Sequence, residues 1–270
     1  MNRISRKFEE LKARDGKGFI PFVTAGDPDL ETSREIVLTL ARSGADIIEL
    51  GVPFSDPMAD GPSIQASSQR ALAKDVSLGK ILQMVRELRS HIETPIVIFS
   101  YYNPLFRYGI ERLAADASAA GIDGVLITDV VDDEASQIAT IFNRYEMDLI
   151  SLIAPTTSDE RLKKISGMAS GFLYAVSRAG VTGAQSETSQ SAKTLVKKAR
   201  QFSTLPIAVG FGISTAEQIA EVWDYANAAV VGSAIVRVVE NSIEAGTTVE
   251  RVKEFVDALL PQVANQVAEI

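Results

Sequence analysis

Apolar and polar positions follow a two-part pattern that repeats along most of the chain. Short runs rich in Val, Ile and Phe, such as residues 95–100, are apolar at consecutive positions, which is typical of strands buried on both faces. Most are followed by a segment with apolar residues at helical spacing, as in residues 78–90. The pattern recurs roughly every 25 to 40 residues and predicts a series of strand–helix units.

Eight such strands are predicted. They lie at residues 19–24, 46–51, 95–100, 124–128, 148–153, 171–176, 206–210 and 228–232. Helices are predicted at residues 5–14, 30–43, 64–73, 78–90, 109–120 and 132–145, from near 158, from the capping-box pattern at 214–217, and at 233–240 and 248 to about 264. This order favours an α/β fold of one domain, residues 1–270, that is a closed (β/α)8 TIM barrel. An extra N-terminal helix and an extra short helix after strand 2 are expected.

A doubly wound open sheet is the competing architecture, because it also alternates strands and helices. Its glycine fingerprint GxGxxG is incomplete in this chain, since residues 210–215 supply only the first half. No linker or low-complexity stretch divides the sequence. The barrel is therefore the favoured fold.

The segment of residues 47–62, IIELGVPFSDPMADGP, places carboxyl groups at the end of the second predicted strand. Because strand side chains alternate between faces, Glu49 shares a face with Ile47 and Gly51. Asp60 follows on the loop, after Asp56. A carboxyl group in apolar surroundings tends to keep its proton, whereas one on a wet loop stays ionised, so the two can divide acid and base roles. The structural alternative is a buried Glu49 paired with an arginine, beside turn-forming aspartates.

In a TIM barrel the active site lies at the carboxyl ends of the strands, and phosphate commonly binds beyond strands seven and eight. Glycine-rich turns follow both of these strands, at residues 210–214 and 231–234. Exposed N–H groups at a helix start suit a phosphate, although the same glycines could serve turn geometry alone. The composition of residues 177–189 fits either a mobile lid or a plain loop. If the segment is a lid, Arg178 and Thr182 could close over an anion.

Composition and charge narrow the function further. The 270 residues carry 27 basic and 35 acidic side chains, a net charge of −8, which argues against nucleic acid and anionic membranes as main partners. There is no cysteine, and His91 is the single histidine, so thiolate chemistry and multi-histidine metal sites are excluded. No apolar run is long enough to span a membrane, and the first residues lack a secretory h-region. A cytoplasmic protein is expected.

Six motifs resemble those of the tryptophan synthase alpha chain family, in the expected order. They are FVTAGDP (22–28), ELGVPFSDPMADGP (49–62), SYYNPLFRYG (100–109), SRAGVTG (177–183), VGFGIS (209–214) and VGSAIV (231–236). The resemblance implies a lyase that cleaves indole-3-glycerol phosphate by retro-aldol chemistry to indole and glyceraldehyde 3-phosphate. It implies that Glu49 is the acid/base and that Asp60 binds the indole N–H and stabilises the cationic ring.

By the same resemblance, phosphate would be bound by a set of small residues and the indole would lie in an aromatic pocket. The implied phosphate-binding residues are Gly183, Gly212, Gly232 and Ser233. The implied pocket and lid residues are Phe22, Tyr174, Thr182 and Phe211, with Thr182 helping to hold Asp60 in place.

The resemblance also implies a partner, a beta chain that carries pyridoxal phosphate and forms an alpha2beta2 heterotetramer. No cofactor and no metal are expected in this chain. Residues 101–104 and Asp56 are candidates for docking. The sequence departs from the family pattern at residues 129–131 and at residues 227–229. The first segment faces the partner in the family, so the departure there puts the details of docking in doubt. The second departure is expected to be a packing variant.

Two other functions remain open at this stage. One is a weakly active subunit that binds and activates the beta chain. The other is a different phosphate-binding barrel, such as a sugar-phosphate isomerase.

Overall fold

The strands form a closed parallel barrel in which each strand pairs with the next along the chain and β8 pairs with β1. A computed structural model describes residues 2–176, 185–210 and 212–260. The strands are β1 (Gly18–Thr24), β2 (Ile48–Gly51), β3 (Ile96–Ser100), β4 (Gly124–Ile127), β5 (Asp148–Ile153), β6 (Leu173–Val176), β7 (Ile207–Gly210) and β8 (Ala228–Val231). The predicted TIM-barrel fold is confirmed, and the open sheet is excluded.

Helices surround the barrel and also close one of its ends. They are α1 (Arg3–Ala13), α2 (Leu30–Arg42), α3 (Pro62–Leu72), α4 (Leu78–Leu88), α5 (Tyr102–Tyr108), α6 (Ile110–Ala120), α7 (Asp132–Asn143), α8 (Asp159–Met168), α9 (Gln185–Ala199), α10 (Ala216–Trp223), α11 (Ser233–Ser242) and α12 (Thr248–Leu259). The extra N-terminal helix and the extra helix after strand 2, α1 and α3, are both present. Within the described residues, no helix has the length and apolar character needed to cross a bilayer.

Strand side chains divide between two hydrophobic clusters, as the two-residue period of a strand requires. In β2 and the residue before it, Ile47 packs in the cluster inside the barrel, whereas Ile48 and Leu50 pack in the cluster between the barrel and its helices. The predicted alternation is therefore confirmed, and it directs Glu49 inward.

The helix α1 closes the amino end of the barrel. Its apolar residues Ile4, Phe8 and Leu11 are buried in the inner cluster, and the ring of Phe8 lies 5.7 Å from that of Phe172. Asn2 caps the helix by accepting a hydrogen bond from the Ser5 N–H. With this end filled, access to the interior is left at the carboxyl end, where active sites of this fold lie.

Three local predictions need correction. Residues 101–104 were predicted as a loop, but α5 begins at Tyr102. The predicted loop at 177–189 overlaps α9, which begins at Gln185, while residues 177–184 lie outside the described part. The capping box of α10 is formed by Thr215 and Gln218, one residue later than predicted, because the side chain of Gln218 reaches back to the N-cap backbone.

Candidate active site

A cavity of about 300 Å³ opens at the carboxyl end of the barrel. Its described lining comes from strands on both sides of the barrel and from the segments that follow β2, β7 and β8. These residues are Phe22, Glu49, Ala59, Asp60, Gly61, Pro62, Ser63, Ile64, Phe99, Tyr174, Gly212, Val230, Gly232, Ser233 and Arg237. The volume lies at the lower end of the range for small-molecule sites.

Glu49 is the central polar group of this cavity. It is fully buried on β2, and neither carboxyl oxygen has a hydrogen-bond partner among the described residues. Burial raises the pKa of Glu49 from 4.5 to about 8, because the charged form loses its solvation. The predicted alternative of a Glu49–arginine pair is not found in this part of the chain, so Glu49 is a protonated acid near neutral pH.

Asp60 lies on the loop between β2 and α3, where Gln65 donates a hydrogen bond of 2.9 Å to its backbone carbonyl. Burial raises its pKa to about 6, and a side-chain hydrogen bond with Tyr101 acts in the opposite direction. The Tyr101 hydroxyl also accepts a hydrogen bond of 2.9 Å from the Ala59 N–H. Asp60 is thus less solvated than the sequence predicts, but its carboxylate still predominates at pH 7.

The helix that follows Asp60 is fixed to the end of β1. Arg70 on α3 donates two hydrogen bonds, of 2.7 and 2.9 Å, to the carboxylate of Asp27. The hydroxyls of Thr24 and Ser67 lie 2.6 Å apart and are buried. These contacts connect the Asp60 loop to the strand that neighbours Glu49, so the two carboxyl groups are held on one framework.

Aromatic rings form the apolar wall around Glu49. The ring of Phe22 meets that of Phe99 at 5.3 Å, and Phe99 lies 6.5 Å from Tyr174. Glycines leave room for these rings: a Cβ on Gly51 would lie 2.5 Å from Phe22, and one on Gly210 would lie 2.1 Å from the Tyr174 hydroxyl oxygen. The rings meet edge to face, at interplanar angles of 77° and 66°, and form an apolar wall that suits an aromatic ligand.

The opposite side of the cavity is formed by the turns after β7 and β8. Gly212 follows β7 with φ +71°, and Gly232 is the N-cap residue of α11 without a side-chain cap. Ser233 opens that helix and lines the cavity. Unpaired N–H groups at the start of a helix make this side suitable for an anion.

The sequence-predicted residues are largely brought together. Phe22, Glu49, Asp60, Tyr174, Gly212, Gly232 and Ser233 all line the one cavity. Thr182, Gly183, Phe211 and Arg178 lie outside the described residues.

Sequence reasoning missed Phe99 and Arg237. Phe99 lies two residues after Val97 on an apolar strand, so alternation could have placed it in the interior. Arg237 follows Ser233 by four residues, one helical turn, which was the available signal.

The closed barrel, with a cavity that contains carboxyl groups at the carboxyl ends of its strands, places the chain among the TIM-barrel enzymes. A family model described as "Tryptophan synthase alpha chain" matches residues 8–264. The chain is 49% identical to the tryptophan synthase alpha chain of Geobacter sulfurreducens, over 98% of this chain and 100% of that protein. The chain belongs to the tryptophan synthase alpha chain family.

Solved structures agree with this assignment. The tryptophan synthase alpha subunit of Legionella pneumophila superposes with a TM-score of 0.91 at 36% identity, covering 98% of this chain and 99% of that one. A Pyrococcus furiosus chain, from a structure on mutual activation of the tryptophan synthase a2b2 complex, gives 0.84 at 40% identity, covering 90% and 98%.

Proposed function

We propose that this chain cleaves indole-3-glycerol phosphate to indole and glyceraldehyde 3-phosphate, with Glu49 as the acid/base and Asp60 as the group that stabilises the charged ring. The reaction is that of a carbon–carbon lyase in tryptophan biosynthesis, in keeping with the family. The observation that carries the proposal is a buried carboxyl group at the cavity wall that has no hydrogen-bond partner among the described residues, with a second carboxylate on the adjoining loop.

The proton of Glu49 initiates the reaction. The protonated carboxyl group donates it to the indole carbon that bears the glycerol phosphate chain, which makes the ring cationic. The carboxylate that remains accepts the proton of the adjacent hydroxyl group. The electrons of the O–H bond then form the aldehyde carbonyl, and those of the broken carbon–carbon bond return to the ring. Glu49 ends the cycle protonated.

Asp60 acts while the ring carries positive charge. Its carboxylate accepts a hydrogen bond from the indole N–H, which becomes more acidic in the cationic intermediate. Because the cavity is largely apolar, this charge–charge attraction is stronger than it would be in water. A hydrogen bond that strengthens as the intermediate forms lowers the barrier rather than only binding the substrate.

The phosphate group is proposed to bind on the opposite side, at the N–H groups of Gly212, Gly232 and Ser233, with Gly183 closing the set. The N–H groups at the start of α11, which has no side-chain cap, and the positive end of its dipole favour a dianion there. Phe22, Tyr174 and Phe211 would contact the indole, and Thr182 would help to hold Asp60 as part of the lid.

The proposed chemistry is proton transfer, which needs neither a metal nor an organic cofactor in this chain. The described residues contain no group of three or more acidic, histidine or cysteine side chains that could hold a metal ion. The proposed partner is a beta chain carrying pyridoxal phosphate, with which this chain would form an alpha2beta2 complex and exchange activation.

Glu49→Gln tests the assignment of the acid/base. The variant should release indole about 100- to 10,000-fold more slowly, because the amide cannot transfer the proton. Indole release and a coupled assay for glyceraldehyde 3-phosphate should fall together, with and without a beta chain.

Thr194→Gln, an exposed change on the outside of α9, is the matched control and should retain full rates. Near-normal indole release by Glu49→Gln would refute the mechanism. A wild-type chain that produced no indole in either condition would instead favour a purely binding subunit.

A further inference from the structure

The cavity contains one charged side chain that the proposed mechanism does not use. Arg237 lies on α11, four residues after Ser233, and both line the cavity. Residues four apart lie on one face of a helix, and helical side chains incline towards the N-terminus. Arg237 therefore lies one helical turn from the residues where the phosphate is proposed to bind, on the same cavity.

No ion pair links Arg237 to a carboxylate in the described part of the chain. The acidic residue that follows it on the same helix, Glu240, is bound by Arg70 at 3.0 Å. A cation is also not the residue that the dipole favours near the start of a helix. The helix itself thus gives no structural reason for an arginine at this position.

The charges of the cavity give such a reason. Its described lining carries the negative carboxylate of Asp60 beside the protonated Glu49, and Arg237 is the one basic side chain among those residues. The whole chain carries a net charge of −8. A phosphate dianion that enters this cavity therefore meets unfavourable charge unless a cation lies close to it.

We propose that Arg237 binds the substrate phosphate together with the N–H groups at the start of α11, and so sets the preference for a phosphorylated over an unphosphorylated substrate. This inference rests on the proposed function. A guanidinium can bind two phosphate oxygens at once, which an ammonium group cannot do. Arg237 acts on binding, since it is on the side of the cavity away from the bond that breaks.

Kinetics of Arg237→Gln and Arg237→Lys test the proposal. In Arg237→Gln, the KM for indole-3-glycerol phosphate and the inhibition constant of glyceraldehyde 3-phosphate should each rise about 3- to 30-fold. This range lies between the loss in affinity expected for an exposed ion pair and that expected for a hydrogen bond to a charged group. The kcat should change less than about twofold, because ground state and transition state lose the same contact. Arg237→Lys should give intermediate values.

Two comparisons isolate the phosphate. The rate with unphosphorylated indole glycerol and the inhibition constant of indole should be unchanged in Arg237→Gln. Arg251→Gln, on the neighbouring helix α12, removes the same charge outside the cavity and should behave as the wild type.

These measurements distinguish a failure of the role proposed for Arg237 from a failure of the proposed lyase function. An active wild type whose constants are unaffected by Arg237→Gln overturns the role of Arg237 alone. An equal loss with phosphorylated and unphosphorylated substrates also overturns it. A wild type that neither releases indole nor is inhibited by glyceraldehyde 3-phosphate overturns the proposed function.

Discussion

Glu49 and Asp60 lie at the same cavity, but their surroundings raise their pKa values by unequal amounts. Glu49 is fully enclosed and lacks a described partner, which raises its pKa to about 8. Asp60 keeps a hydrogen bond with Tyr101, and its pKa rises only to about 6. Between these values one group is protonated and the other is ionised. This is the division that an acid and a charge-stabilising base require.

The pH dependence of kcat/KM should therefore be bell-shaped, with limbs near pH 6 and pH 8. Activity falls below about pH 6 because Asp60 gains a proton, and above about pH 8 because Glu49 loses the proton that it must donate. Among the described residues, the tyrosines facing the pair titrate outside this window, since the pKa of Tyr101 is raised to about 12 and that of Tyr174 is raised by burial. The remaining charged group of the cavity is Arg237.

Asp60→Asn identifies the acid limb. The substrate phosphate also titrates near pH 6, so the wild-type profile alone is not decisive. The residual activity of the variant should keep the limb near pH 8 and show a smaller fall on the acid side. An alkaline limb absent up to pH 10, or an acid limb unchanged in Asp60→Asn, would contradict the assigned pKa values.

The strand β2 shows what the sequence could predict about the site. Its alternating pattern was sufficient to place Glu49 inside the barrel, because the period of a strand is local. The pKa of Asp60 was not predictable in the same way, since its burial depends on Tyr101 and on α3, which is fixed to β1. The place of Arg237 at the cavity was missed because its one signal, a spacing of four residues from Ser233, is shared by every such pair on a helix.

Gly51 at the end of β2 should be required for the position of Phe22. A Cβ at residue 51 would lie 2.5 and 2.8 Å from two carbons of the Phe22 ring. Gly51→Ala should lower kcat/KM about 10-fold or more, since overpacking typically costs about 1–3 kcal/mol and here displaces a wall of the cavity. Steady-state kinetics of indole release measure the effect.

Replacing Phe22 by Leu removes the ring carbons that the new Cβ meets. Gly51→Ala/Phe22→Leu should therefore be more active than Gly51→Ala alone, which would appear as a coupling energy in the double-mutant cycle. Gly79→Ala, on α4 where a Cβ meets nothing within 4 Å, is the control and should leave activity unchanged. Independent, additive losses would refute the contact.

At the scale of the whole molecule, apolar side chains are exposed on segments that follow neighbouring strands. Three large ones are exposed among the described residues: Met58 after β2, Phe106 on α5 and Val131 before α7. Their segments follow three adjacent strands, and hydrogen bonds connect them, from Ala59 N–H to the Tyr101 hydroxyl and from Tyr102 N–H to the Asp129 carboxylate. These connected segments, each with an exposed apolar side chain, are the candidate surface for a partner.

The segment of residues 101–104, a candidate for docking, begins with a buried side chain. Tyr101 is buried in this chain, and its ring lies 5.3 Å from that of Phe54. It connects the exposed segments to the Asp60 loop from beneath. A partner bound over these segments would act on the position of Asp60 through Tyr101, as the proposed activation by a beta chain requires.

Phe106→Glu should weaken binding of the beta chain about 10-fold or more, because it places a charge where an apolar side chain would be buried. The isolated chain should cleave indole-3-glycerol phosphate at the wild-type rate, since Phe106 is exposed and does not line the cavity. Sedimentation velocity of mixtures with the beta chain gives the affinity, and Thr194→Glu on the outside of α9 controls for added charge. If Phe106→Glu bound the beta chain as tightly as Thr194→Glu does, the interface would have to lie on another face, and the connection through Tyr101 could not account for activation.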